Sequence, residues 1–217
     1  MDGSPLTLHL SLSLARDARG RITHYIGLCR ESPALPLLVA ESTDHPQDRD
    51  AVTALLNRSS LMRQLTLSVP VAARQDDHLA LLWLDLDHFR SINESLDPAV
   101  GDEILQEVAQ RFQSLLGEQS TLFHMGGDVF AVLLEGSAAT ARATALAESL
   151  LEGLNRPLPV AGMLLGLSAS IGIASLTSGE QADAADLVRQ AETAMYQAKR
   201  HRHCYRLATR SRQLTQP

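Results

Sequence analysis

The chain is poor in cysteine, has no excess of basic residues, and contains no long apolar run. Cys29 and Cys204 are its two cysteines, far apart and at no metal-ligand spacing. They read as reduced thiols rather than as a disulfide framework or a zinc site. Lys and Arg number 19 against 25 Asp and Glu, for a formal net charge of −6. That balance argues against general nucleic-acid binding, which needs a basic face. No apolar run approaches the ~20 residues of a membrane span. The first residues lack a charged segment followed by a long apolar stretch. The expectation is a cytoplasmic chain with no membrane segment and no nucleic-acid partner. No internal repeat or low-complexity tract stands out.

What is present is a 217-residue chain, 45% hydrophobic and 20% charged, enough for one full domain and an appendage. Residues 5–14, "PLTLHLSLSL", alternate with period two and predict a strand. Asp17 to Gly20 is a turn signal, and Ile22 to Cys29 predicts the returning strand. Residues 32–49 carry three prolines and read as a linker. The main domain is expected at 50–207, between the 1–31 hairpin and a 208–217 tail. Helical spacing is read over 51–67. "HLALLWLDLDHF" predicts a buried strand whose aspartates emerge at its C-terminal end. Asp97 and Pro98 open a helix whose stripe is Ile104, Leu105, Val108, Phe112 and Leu115. A hairpin follows, with strands at 121–125 and 129–134 turning at Gly126-Gly127. Ser137 is expected to cap a helix that runs to about Leu151. A second hairpin turns at Ala161-Gly162. A last helix buries Leu187, Ala191, Ala194, Met195 and Ala198, and a short strand closes the domain at 203–207. This order predicts an α/β (α+β) fold, a mostly antiparallel central sheet flanked by helices.

The chemistry gathers at two places. Asp85 and Asp87 end a buried strand and, being two apart, share a face. Asp128 sits at the tip of a glycine hairpin. Three converging carboxylates repel, and a divalent cation resolves that conflict. Hard oxygen ligands at a sheet end suit Mg²⁺ or Mn²⁺ together with substrate phosphates. Gly126 and Gly127 leave backbone open to a triphosphate. The competing view makes Asp85 and Asp87 caps of the next helix, Asp87 more so than Asp85, and Gly126-Gly127 an ordinary turn. Asn93 reads locally as a helix end, and Asp102 as a charge favourable at a helix N-terminus. His124 has no histidine at ligand spacing and so no metal signal of its own. The basic cluster from Arg200 to Arg206 reads as a solvated helix end.

"DAVTALLNR", "WLDLDHFRSINESLDPAVGDEIL", "GGDVF", "SASIGIA" and "AETAMYQAKR" follow one another over about Asp50 to Leu207. In order and spacing they resemble the blocks of the GGDEF, or diguanylate cyclase, family. The resemblance implies a fold akin to nucleotide cyclases and polymerase palms. It implies condensation of two GTP into cyclic di-GMP across a homodimer, with Mg²⁺ or Mn²⁺. It places Asp85 and Asp128 as metal ligands, Asp128 and Lys199 as catalytic, and Asn93, Asp102, Gly126 and Gly127 as substrate-binding. Val129 stands where the family has a metal-binding glutamate. Other departures are His124 for an arginine, Ala54 for a glycine, and no glycine in "KRHRHC". "GEQS" stands where a product-inhibition arginine and aspartate would be. Residues 1–31 resemble the last strands of a PAS sensor domain. The leading expectation is a degenerate GGDEF domain, weak or inactive, that binds GTP and regulates a partner such as a phosphodiesterase. The alternatives are an active cyclase and a nucleotide-independent interaction module.

Overall fold

The structure is a computed structural model that describes residues 8–16, 22–31, 46–74, 78–96, 98–177, 180 and 182–209. The chain divides into two compact units, Met1–Asp44 and His45–Pro217. In the first, β1 (Leu8–Arg16) pairs antiparallel with β2 (Ile22–Glu31), in register from Leu8 opposite Glu31 to Arg16 opposite Ile22. The expected turn at 17–20 and the linker over 32–45 lie outside the described residues.

The second unit is built on β4 (Leu79–Leu86). Every second residue of this strand faces the opposite way. Ala80, Leu82, Leu84 and Leu86 enter one apolar cluster, and Leu79, Leu81 and Trp83 enter another. Both faces are therefore covered, which is why the segment reads as an unbroken apolar run. The first cluster is closed by α3 (Pro98–Leu115) and α4 (Ala139–Asn155), the second by α1 (Arg58–Arg74) and α5 (Ala184–Ala198). Around β4 lie β3 (Leu56–Asn57), β5 (Ser120–Gly126), β6 (Val129–Glu135), β9 (Ala169–Leu176) and β10 (Cys204–Leu207). The six-stranded order is β10-β9-β4-β6-β5-β3. β4 pairs antiparallel with both β6 and β9, and the outer pairs β10-β9 and β3-β5 are parallel. This is the mixed, mostly antiparallel sheet between helices that the element order predicts.

Several local expectations are corrected. Helix α1 begins at Arg58, and residues 50–55 form a loop because Asp50 Oδ1 accepts from the N–H groups of Val52 and Thr53 and from the Thr53 hydroxyl. Ser137 is not a cap: α4 starts at Ala139 after Ala138, with no side-chain capping bond. The second predicted hairpin separates into a small one, β7 (Leu158–Val160) with β8 (Met163–Leu165), and the independent central strand β9. Asp97 lies outside the described residues, while α3 does begin at Pro98.

Gly172 sets how α5 lies on the sheet. A Cβ there would sit 2.0 Å from the Ala191 carbonyl oxygen and 2.2 Å from the Met195 nitrogen. Only a bare backbone lets the helix come so close. That contact fixes the C-terminal end of α5, where Lys199 follows Ala198 as the C-cap.

Candidate active site

The C-terminal end of β4, the β5–β6 turn and the end of α5 meet on one side of the sheet. Gly126 pairs with Val129, so the two residues of the turn are Gly127 and Asp128, one place later than the sequence suggests. Gly126 and Gly127 have φ of 99° and 60°, and a Cβ on either would meet nothing within 4 Å. Glycine is needed there for the backbone conformation, and the space above the turn is open. The Asp128 carbonyl accepts from the Leu86 N–H at 3.0 Å, which ties the turn to the end of β4.

Asp85 faces this junction, and Lys199 Nζ closes an ion pair on its Oδ1. Burial raises the Asp85 carboxyl, and the charges of Asp128 and Asp87 add to that rise. The Lys199 ammonium opposes it, and the balance is pushed up to about 6 from an ordinary 3.8. The structure thus brings Asp85, Asp128 and Lys199 into one electrostatic group.

Asp87 takes a different part from the helix cap considered for it. The N-cap of α2 (Phe89–Ser95) is His88, without a side-chain capping bond. Asp87 is 3% exposed and accepts from Ser170 Oγ at 2.8 Å, Ser168 Oγ at 2.7 Å and the His203 N–H at 3.1 Å. Its lone pairs are spent clamping β4 to β9 and to the turn after α5. Asp85 opposes Ser170 in the ladder, which puts Asp87 level with Ser168. The signal for this was in the sequence, as the alternation of Ser168 and Ser170 on one strand face.

Val129 lies directly opposite Asp85 on β6. Its side chain packs against the apolar cluster on the α1–α5 face. Among the described residues no group of three or more His, Cys, Asp or Glu is placed to hold a metal ion. Asp85 and Asp128 are the two carboxylates at this junction that would hold a single magnesium-like ion, which would take its other ligands from water and phosphate oxygens. A second ion relying on residue 129 does not fit, because valine offers no lone pair.

Asn93 and Asp102 stand on the neighbouring helices α2 and α3, which pack together. The Asn93 Oδ1 is buried with no hydrogen-bond partner among the described residues. It occupies the space that a Cβ of Gly101 would need, 2.0 Å away. Asp102 is exposed and lies beyond the first turn of α3, so a helix-terminus role does not account for it.

The family described as "Diguanylate cyclase, GGDEF domain" matches residues 47–204. The chain belongs to the GGDEF family. Its GGDEF domain is 36% identical over 159 residues to the bifunctional diguanylate cyclase/cyclic di-GMP phosphodiesterase MucR of Pseudomonas aeruginosa, covering 72% of this chain and 23% of MucR. The crystal structure of the GGDEF domain of YfiN, also called TpbB, from Pseudomonas aeruginosa superposes with a TM-score of 0.69 at 35% identity, covering 73% of this chain and 99% of that one. Diguanylate cyclase SiaD of the same organism, solved in complex with its activator SiaC, gives a TM-score of 0.67 at 28% identity, covering 74% of this chain and 61% of that one. The chain spans well under half the length of the curated relatives it matches.

Proposed function

We propose that this GGDEF domain binds GTP and acts as a regulatory element in cyclic di-GMP signalling, with weak or no cyclase turnover of its own. The observation that carries this reading is Val129 opposite Asp85 in the β4–β6 ladder. Asp85 and Asp128 would hold one Mg²⁺ or Mn²⁺ ion, which when bound offsets phosphate charge. Attack of a hydroxyl on an α-phosphate builds further charge, and position 129 contributes nothing to offset it. The Lys199 ammonium is the cation that this chain supplies at the same place.

Nucleotide binding is supported by the second group. A guanine edge presents N–H donors, and the unpartnered Asn93 carbonyl and the exposed Asp102 carboxylate are acceptors. Gly126 and Gly127 leave room for phosphates. Regulation of a partner, a phosphodiesterase domain or a dedicated binding protein, is the role left to a GTP-binding domain that turns over poorly. Engagement of a separate regulatory protein has a parallel in the relative SiaD, solved in complex with its activator SiaC.

Incubation with GTP and Mg²⁺ or Mn²⁺, followed by chromatography, tests the first half. Little or no cyclic di-GMP is expected, and steady formation at the rate of a working cyclase overturns the reading. Calorimetry with GTP tests the second half. Binding is expected to weaken on Asn93→Ala and Asp102→Ala, and an absence of heat with the native chain would leave only an interaction module.

A further inference from the structure

Lys199 is the single lysine among the 19 Lys and Arg residues of the chain. The other members of that set carry the planar guanidinium, so this one place holds a compact ammonium on a flexible stem. Such a stem has many rotamers, and holding it against Asp85 costs entropy. The ion pair leaves the lysine side chain 30% exposed and the aspartate 14% exposed. A partly exposed pair holds a long side chain only weakly by itself.

The backbone that carries Lys199 is gripped separately. Lys199 is the C-cap of α5, and the chain then turns sharply. The Ala198 carbonyl accepts from the His201 and Arg202 N–H groups, both at 2.9 Å. Arg202 and His203 follow with φ of 57° and 43°. Two consecutive L-residues in the left-handed region are costly and persist only where outside contacts over-determine them. The outside contact here is the His203 N–H, which donates to Asp87 Oδ2 at 3.1 Å. Asp87 is itself fixed by Ser168 Oγ, which donates to the same oxygen at 2.7 Å, and by Ser170 Oγ, which donates to Oδ1 at 2.8 Å. Ser170 is fully buried, and Cys204, next after the pinned residue, opens β10 opposite it. The end of β4 thus holds the end of α5 at two points. Asp85 takes the Lys199 side chain, and Asp87 takes the backbone just beyond it.

We propose that Asp87 is a positioning residue: it pins the left-handed turn after α5 and so holds the Lys199 ammonium on Asp85, acting on the site without touching a ligand. A carboxylate suits the task because its two oxygens accept three donors. Asparagine keeps an acceptor for the His203 N–H, while the Ser170 hydroxyl rotates to accept from the amide nitrogen. Alanine removes the acceptor that all three donors share. The value of this placement for nucleotide rests on the GTP-binding reading above, whereas the placement itself does not.

The test is NMR of the full chain labelled with ¹³C-lysine, in which Lys199 gives the one lysine side-chain signal set, without nucleotide or metal. A held side chain shows its two Cε protons at separate shifts, and a freely rotating one shows them merged. Separate shifts are expected in the native chain and in Asp87→Asn, and merged shifts in Asp87→Ala. Leu154→Ala, at a buried site on α4, lowers stability alone, and its shifts should stay separate. Should Asp87→Ala fail to fold, the double variant Ser168→Ala/Ser170→Ala removes both side-chain donors to the carboxylate and is expected to narrow the separation. Calorimetry adds the ligand. Asp87→Ala should weaken GTP binding about tenfold, and should add nothing in a Lys199→Ala background. Merged shifts in the native chain, separate shifts in Asp87→Ala, an unaltered separation in the serine double variant, merging in Leu154→Ala, or affinity losses that add in the double variant with Lys199→Ala would each overturn the proposal. A native chain that binds no GTP while its spectra behave as expected would end the nucleotide reading and leave the placement of Lys199 standing.

Discussion

Val129 and Asp85 face one another across the β4–β6 ladder, with their side chains on the same side of the sheet. A carboxylate at 129 would therefore stand beside that of Asp85, whereas the valine joins the apolar cluster under α1 and α5. Val129→Glu is expected to strengthen Mn²⁺ binding at least about tenfold by calorimetry. It should also raise cyclic di-GMP formation by roughly 10²–10³, the usual worth of one transition-state electrostatic contact. Without metal the variant should be less stable by about 1 kcal/mol, because like charges then oppose one another. Tight Mn²⁺ binding with no gain in product would place the catalytic defect elsewhere in the chain.

The Asp85 carboxyl, pushed up to about 6 from 3.8, makes stability depend on pH in a set direction. Between those values the folded chain holds a proton that the unfolded chain releases. Stability from this group therefore falls as pH rises through that window and levels off above it. The full change is about 2–3 kcal/mol. Denaturant melts at intervals from pH 4 to pH 7 should show the decline, and Asp85→Asn should flatten it. An equal slope in the variant would assign the decline to other groups.

Gly172 lies under the backbone of α5, and a methyl group there would overlap the Ala191 carbonyl and the Met195 nitrogen. Neither is a flexible side-chain end, so the helix must lift. Gly172→Ala is expected to cost about 2–3 kcal/mol, as overpacking does, and to lower the melting temperature by roughly 5–10 °C. It should also draw Lys199 away from Asp85 and weaken GTP binding beyond what the stability loss explains. A native-like melt would show that α5 has more room than its contact with β9 indicates.

Ala54 and Arg202 carry positive φ, both at 57°. Ala54 stands where the family's opening block has a glycine, and Arg202 lies in the stretch 200–204 that lacks the family's glycine. The left-handed conformation costs an L-residue roughly 1–2 kcal/mol, and a glycine gives back part of that as freedom in the unfolded chain. Ala54→Gly and Arg202→Gly are each expected to stabilise by about 0.5–1 kcal/mol, or roughly 1–4 °C in melting temperature. Lower melting temperatures in both would mean that the loops repay the strain through contacts of the native side chains.

Much of the fold was legible because apolar spacing carries it. The continuous run at β4, the stripe on α3 from Ile104 to Phe112 and the inward face of α5 are local patterns with the periods of strand and helix. The start of α1 was not legible. Residues 50–57 keep a helical spacing of apolar residues, yet Asp50 Oδ1 gathers the N–H groups of Val52 and Thr53, and Ala54 turns left-handed. Ser137 has the chemistry of a cap, but α4 begins after it.

Sequence alone determined which residue types stand at the sheet end: two aspartates after a buried strand, an aspartate in a glycine turn, a valine next to it, and a lysine after the last helix. Tertiary structure alone decided which of them act together. It turned Asp87 from the cleft to Ser168, Ser170 and His203, across as many as 116 residues of chain. It set Lys199 on Asp85 and closed His124 between Asp50 and Gly127. A local pattern reports the period of burial along one element. Which buried polar groups satisfy one another depends on the register between strands and on how closely a helix lies on a sheet, and those are settled only when distant segments pack.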